Sequence, residues 1–281
     1  MPWVEPVSAV ITAAELASKL AESSAFIKKH AKRIAYQIKH GRVVIPVFGA
    51  GGVGKSTAGK LLHGANPLDL ATPYDESWDP ETIQLKGDIP GQILVAPGQE
   101  PRVAKHWAAL AENVITGKAF GVINVVAYGY HSFGLQSYKE HNLYKPGMTV
   151  SDFAAAYTAA HRTVEQEMLE VLLTDLAAAT RPLWIITLVN KQDLWWSDRE
   201  TVRRHYEGEY AQRIEKFGST IGVKHFQHDM LPVSLVLGNL MTGAGEIVAP
   251  TSAGYDFAHH ARYLKTMFEK LNNRVRLGRS K

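Results

Sequence analysis

The chain contains no cysteine. That absence excludes disulfides, thiolate catalysis and prenyl or palmitoyl anchors. Long apolar runs are also missing, and none approaches the roughly eighteen residues that a membrane span requires. The N-terminus lacks the charged-then-apolar pattern of a secretory signal, and Pro2 does not suit N-myristoylation. Cytoplasmic residence is the expectation. A strong charge of either sign is absent too. The net charge of +4 is too small to suggest a nucleic-acid partner. Twelve histidines occur, yet none falls in a cluster with zinc-ligand spacing. The adjacent His259 and His260 would point in different directions on a helix. There is no internal repeat and no low-complexity tract.

What remains is a composition typical of a globular protein, 281 residues long and 46% hydrophobic, enough for a substantial core. Apolar strands alternate with helical stretches, which predicts one α/β domain with a mostly parallel sheet. The expected strands are Val43–Phe48, Thr82–Lys86, Gln92–Val95, Gly121–Tyr128, Leu183–Val189 and one ending near Leu237. Helices are expected over Thr57–His63, Arg102–Thr116, Ser151 to about Ala179, about Ser197–Lys216 and Tyr255–Val275.

The most specific motif follows the first strand. Gly49-Ala50-Gly51-Gly52-Val53-Gly54-Lys55-Ser56 fits G-x-x-x-x-G-K-[ST], and Thr57 begins the helix behind it. In a strand–loop–helix context, backbone N–H groups wrap phosphate oxygens, and the glycines permit a close approach to the anion. Lys55 is expected to reach the β- and γ-phosphates, and the Ser56 hydroxyl to hold Mg2+. The residues predict a nucleoside triphosphate as ligand.

The base is read much further along. Asn190-Lys191-Gln192-Asp193 closes the Leu183–Val189 strand, the end at which open α/β sheets bind ligands. The Asp193 carboxylate can accept two hydrogen bonds side by side, from N1–H and the 2-amino group of guanine. Adenine has neither donor and would leave that charge unpaired. Asn190 is expected to tie this loop to the phosphate loop, and the Lys191 stem to lie along the base.

With these residues in place, the chain resembles the Ras-like and Arf-like small GTPases, P-loop GTPases of the translation-factor-related class. The octapeptide reads as in Ras, Gly98-Gln99-Glu100 is similar to the start of the second switch, and Pro232-Val233-Ser234-Leu235 to the fifth motif. The resemblance spans roughly residues 42–275 but rests on short motifs and their order. It implies the three-layer P-loop GTPase fold, with GTP and GDP as ligands and Mg2+ as cofactor. It also implies slow GTP hydrolysis and a switch that acts on a protein partner. Gln99 would position the attacking water, with Lys55 as the second catalytic residue. Gly98, Ser234 and Leu235 would join the nucleotide contacts. The first-switch threonine would be Thr72, with Ser77 as the alternative, and Thr72 would share the metal with Ser56. Arg102 or Lys105 could supply an internal cation.

One departure stands out. The family's Asp-x-x-Gly aligns with Val95-Ala96-Pro97-Gly98, so a valine replaces the aspartate that helps hold Mg2+. Asp88-Ile89-Pro90-Gly91 has the same spelling but reads as a hairpin turn. A weaker hold on the metal is expected.

Two segments exceed a minimal domain of this kind. Residues 1–41 form an expected amphipathic helical extension, apolar at Leu16, Leu20, Ile27, Ile34 and Ile38 and basic at Lys28, Lys29, Lys32, Arg33 and Lys39. Its role is either docking on the domain at 42–281 or contact with a partner or membrane surface. The other is an insertion at about 129–150, rich in Tyr, Phe and His, read either as a recognition loop or as a packed excursion. Three functions follow: a GTP-hydrolysing switch, a GTP/GDP-binding interaction module with little hydrolysis, and a P-loop ATPase or kinase.

Overall fold

The structure is a computed structural model. It describes residues 44–65, 70, 81–85, 91–95, 111–116, 119–179, 181, 183–221 and 226–277. The N-terminal extension, Thr72, Ser77, Asp88, Gly98, Gln99, Arg102 and Lys105 lie outside the described residues.

Six strands form one sheet: β1 (Val44–Phe48), β2 (Glu81–Leu85), β3 (Gly91–Val95), β4 (Gly121–Val126), β5 (Leu183–Val189) and β6 (Phe226–Pro232), in the order β2-β3-β1-β4-β5-β6. All neighbours are parallel except β2 against β3, an antiparallel edge pair in register from Glu81↔Val95 to Leu85↔Gly91. Every residue of β4 and β5 is buried, so both faces of the sheet are covered. That is why these strands read as continuous apolar runs rather than alternating ones. Chain order reverses at β1, with β3 on one side and β4 on the other. The crevice that ligands use in such sheets opens there, at the carboxyl ends.

The covering helices are α1 (Lys55–Leu62), α2 (Val150–Leu176), α3 (Gln192–Trp195), α4 (Arg199–His205), α5 (Ala211–Ile221) and α6 (Phe257–Leu277). Leu61, Leu172, Phe217 and Phe268 carry them onto the strands in one apolar core. α2 starts at a reciprocal cap: Asp152 N–H donates to Thr149 Oγ1, and Thr149 N–H donates to Asp152 Oδ2. Among the described residues, no helix is long and apolar enough to cross a membrane.

The single helix expected over Ser197–Lys216 is interrupted. Between α4 and α5 the chain takes a π turn at Tyr206–Tyr210, where Gly208 leaves helical geometry at φ −84°, ψ −125°. The extra residue lets Tyr206 and Tyr210 both turn fully inward, onto Glu165 and Asn124 respectively. β6 ends at Pro232, not near Leu237, and β4 stops at Val126 rather than Tyr128.

The insertion packs against the domain. Phe133 and Tyr138 join Phe153 and Tyr157 of α2, Leu194, and a two-stranded hairpin that periodicity did not reveal, β7 (Leu240–Met241) and β8 (Ile247–Ala249). Gly243 N–H donates to Leu135 O at 2.7 Å and Ala244 N–H to Gln136 O at 3.2 Å, which stitches hairpin to insertion.

Candidate functional site

The glycine-rich loop leaves β1 through left-handed backbone at Gly49 (φ 140°), Gly52 (φ 71°) and Gly54 (φ 101°). Space also demands glycine at these positions. A Cβ on Gly49 would lie 2.2 Å from Val125 O, and one on Gly54 2.5 Å from Asn190 Nδ2. Val53 and Ala50 are buried against the core, whereas Gly51, Ser56 and Thr57 are only partly buried. The Lys55 ammonium donates to Ala50 O at 2.6 Å, so the lysine folds back across its own loop.

The second loop is locked to the first. Asn190 Nδ2 donates to Val53 O at 2.7 Å, and Asn190 Oδ1 accepts from Leu235 N–H at 2.9 Å. One side chain therefore joins three loops, those following β1, β5 and β6. Trp195, fully buried, donates from Nε1 to Asn190 O at 2.8 Å. Trp196 packs instead near Tyr255, His259 and Tyr263.

Asp193 is buried and oriented from both sides. Ser234 Oγ donates to its Oδ1 at 2.7 Å and also accepts from Asp193 N–H at 2.8 Å, while Gly238 N–H donates to Oδ2 at 3.0 Å. A carboxylate offers about four acceptor positions, so each oxygen keeps one for a ligand donor. Burial raises the Asp193 pKa, opposed by the bonds from Ser234 and Gly238 and by the Lys191 charge. Gly238 is a contact that the motifs do not contain; only its place a few residues beyond Ser234 hints at it.

Lys191 takes a left-handed conformation at φ 58° and donates from Nζ to Ser132 Oγ at 2.7 Å. Burial pushes its ammonium down to about 7 from the ordinary 10.5, against the pull of Asp193 and Glu165. The unfolded chain therefore binds the proton more tightly than the fold does between those values. Stability of the nucleotide-free protein should rise with pH from about 7 to 10.5. Lys191→Met should remove that part of the slope, as read by denaturant titrations at several pH values.

Beneath the loops lies a buried carboxylate that the sequence did not flag. Glu165 of α2 is 2% exposed. Its Oε1 accepts from Ala127 N–H, Gly129 N–H and His131 Nε2 at 2.8–3.0 Å, and its Oε2 from Tyr206 O–H at 2.7 Å. Burial alone would raise its pKa, but these donors outweigh burial and hold it low. Burial depresses the His131 pKa, opposed by the hydrogen bond and the charge of Glu165.

Val95 ends β3 with its side chain in the apolar core, 2% exposed. No oxygen is offered from that position. No cluster of three His, Asp or Glu side chains able to hold a metal occurs among the described residues.

The structure thus brings together Gly49–Thr57, Asn190, Lys191, Asp193, Ser234 and Leu235 at the carboxyl end of the sheet. The arrangement can grip an anion at one end and a ring bearing two adjacent N–H donors at the other. No family model matches the chain, and no curated protein matches it in sequence. Among solved structures it is similar to an ADP-ribosylation-factor-like GTP-binding protein (small COPII coat GTPase SAR1) from Encephalitozoon cuniculi in complex with GDP. That pair shows 16% identity and a TM-score of 0.40 over 92% of this chain and 95% of the other. It is also similar to a chain of the signal recognition particle receptor SRb-GTP/SRX complex from Chaetomium thermophilum, at 14% identity and TM-score 0.41, covering 81% and 97%. Toc33 from Arabidopsis thaliana, in complex with Mg2+ and GMPPNP, gives 12% identity and TM-score 0.41 over 93% and 97%. At these scores the likeness is loose and bears no weight for function.

Proposed function

We propose that this chain is a guanine-nucleotide-binding switch of the Ras-like and Arf-like kind, which binds GTP and GDP, hydrolyses GTP slowly and acts on a protein partner. The observation that carries this reading is the Asn190 strut. It holds the phosphate loop at Val53 O and the segment bearing Ser234 at Leu235 N–H, while Ser234 aims Asp193. Anion grip and base-reading carboxylate are then one rigid unit, which is what discrimination of a whole nucleotide requires.

Ser56, partly buried at the start of α1, is the first proposed ligand to Mg2+. Mg2+ tolerates such a site when phosphates and water supply most of its octahedron. The metal would neutralise charge on the phosphates. Thr72 is the second proposed ligand, and Gln99 the proposed positioner of water.

Competition against labelled GDP tests the reading. GTP should displace it at concentrations where ATP does not, and equal displacement by ATP would end the guanine assignment. A second reading rests on Val95. With an apolar side chain where a metal-supporting carboxylate would serve hydrolysis, the protein acts as a GTP/GDP-binding module that turns over little. Single-turnover phosphate release separates the two, since release that depends on Gln99 belongs only to the switch.

A further inference from the structure

We propose that Ser132, in the insertion that follows β4, is a positioning residue for nucleotide retention, because it clips the phosphate loop to the lysine of the base-reading loop. The assignment rests on the guanine-nucleotide reading above but draws on residues outside both motifs.

Ser132 touches both halves of the site at once. Its N–H donates to Gly52 O at 3.0 Å, and its Oγ accepts from Lys191 Nζ at 2.7 Å. The fit against the phosphate loop is close enough to dictate sequence. A Cβ on Gly52 would lie 2.3 Å from Ser132 O and 2.6 Å from Ser132 N, so a glycine there serves the insertion as well as the anion.

The serine is itself held firmly. The preceding His131 is 3% exposed and anchored three ways. Its Nε2–H donates to Glu165 at 3.0 Å, its carbonyl accepts from Tyr157 O–H at 3.0 Å, and its N–H donates to Gly129 O at 2.8 Å. Glu165 and Tyr157 both belong to α2, so the long helix fixes the height at which Ser132 meets Gly52. A loose surface serine would not register two loops; one mounted on a buried carboxylate does.

The consequence concerns Lys191. Its stem is the part expected to lie along the base, and a flexible four-carbon side chain loses rotamer freedom when it does so. Ser132 ends that side chain on a fixed acceptor, which confines the stem before nucleotide arrives and lowers the entropy cost of binding.

Release of a fluorescent GDP analogue from the 281-residue chain tests this. Ser132→Ala should speed release about tenfold, the order of the cost of ordering one long side chain on binding. Lys191→Met should speed it at least as much. The deciding result is their combination. Ser132→Ala should add nothing in the Lys191→Met background, since the contact is already gone. Independent, multiplying effects would overturn the proposal, as would a Ser132→Ala protein that releases nucleotide at the wild-type rate. A wild-type protein that takes up no GDP would instead overturn the guanine reading itself, so the two failures are told apart by the first measurement.

Discussion

Asp193→Asn should move the base preference from guanine to xanthine. Guanine presents two donors, N1–H and the 2-amino group, to a carboxylate that accepts both. Xanthine keeps the N1–H donor but carries a carbonyl at C2. An amide supplies the matching pair, one acceptor and one donor. The local contacts allow only one orientation for it. Gly238 N–H can only donate, so the amide oxygen must stay on that side. The amide nitrogen then faces Ser234 Oγ, whose hydroxyl can turn its proton away and accept. Guanine would keep one hydrogen bond, to the amide oxygen, and lose the other to two facing donors; losing one bond to a charged acceptor costs about 1.5–3 kcal/mol, roughly a 10–10^2-fold weaker hold on GDP. Competition with GDP and xanthosine diphosphate measures both sides of the exchange. A variant that still preferred GDP would mean that Asp193 does not meet the base.

The parts of the site that could be read from sequence are those whose geometry is set by backbone. The glycine-rich loop declares itself because Gly49, Gly52 and Gly54 must take positive φ, and only one residue type does so freely. Asn190 and Asp193 are legible because they follow a strand at the sheet's carboxyl edge and lie three residues apart. Ser234 was found only through the family resemblance. Ser132 and Gly238 were not found, since each acts across a sequence gap that no local pattern spans: 59 residues from Ser132 to Lys191 and 45 from Gly238 to Asp193.

Glu165 had a weak signal that periodicity could have supplied. It stands three, four and seven positions before Met168, Leu169 and Leu172, on the buried face of α2, where a glutamate is out of place unless it is paired. The mostly parallel α/β sheet followed from alternation of strands and helices, but the hairpin β7–β8 did not. Its strands are two and three residues long, and Leu240, Val248 and Ala249 are buried in the cluster that holds the insertion rather than in the main core. The break at Gly208 was equally hidden. A helical pattern runs through it, and only the inward demand of Tyr206 and Tyr210 explains the extra residue.

The second large effect belongs to Asn190, where a single truncation should remove both stability and ligand. In Asn190→Ala, Val53 O loses its donor and Leu235 N–H its acceptor, and the residue at 190 is 3% exposed, so water does not readily replace them. Each orphaned buried group costs about 1–3 kcal/mol, so roughly 2–6 kcal/mol of stability should go. Nucleotide affinity should fall further than stability alone explains, because the phosphate loop and the Asp193 loop no longer move as one body. Asn190→Asp sharpens the point. It keeps an acceptor for Leu235 N–H but sets a carboxylate against Val53 O, two acceptors facing each other, so the fifth-motif side should hold while the phosphate-loop side fails. Thermal melting with and without GDP, run on both variants, reads the two losses separately. If Asn190→Ala melts lower but gains the same increment from GDP as the wild type, the strut serves the fold alone. Loss of the increment in both variants, with Asn190→Asp melting above Asn190→Ala, would locate the functional half of the strut at the bond to Val53.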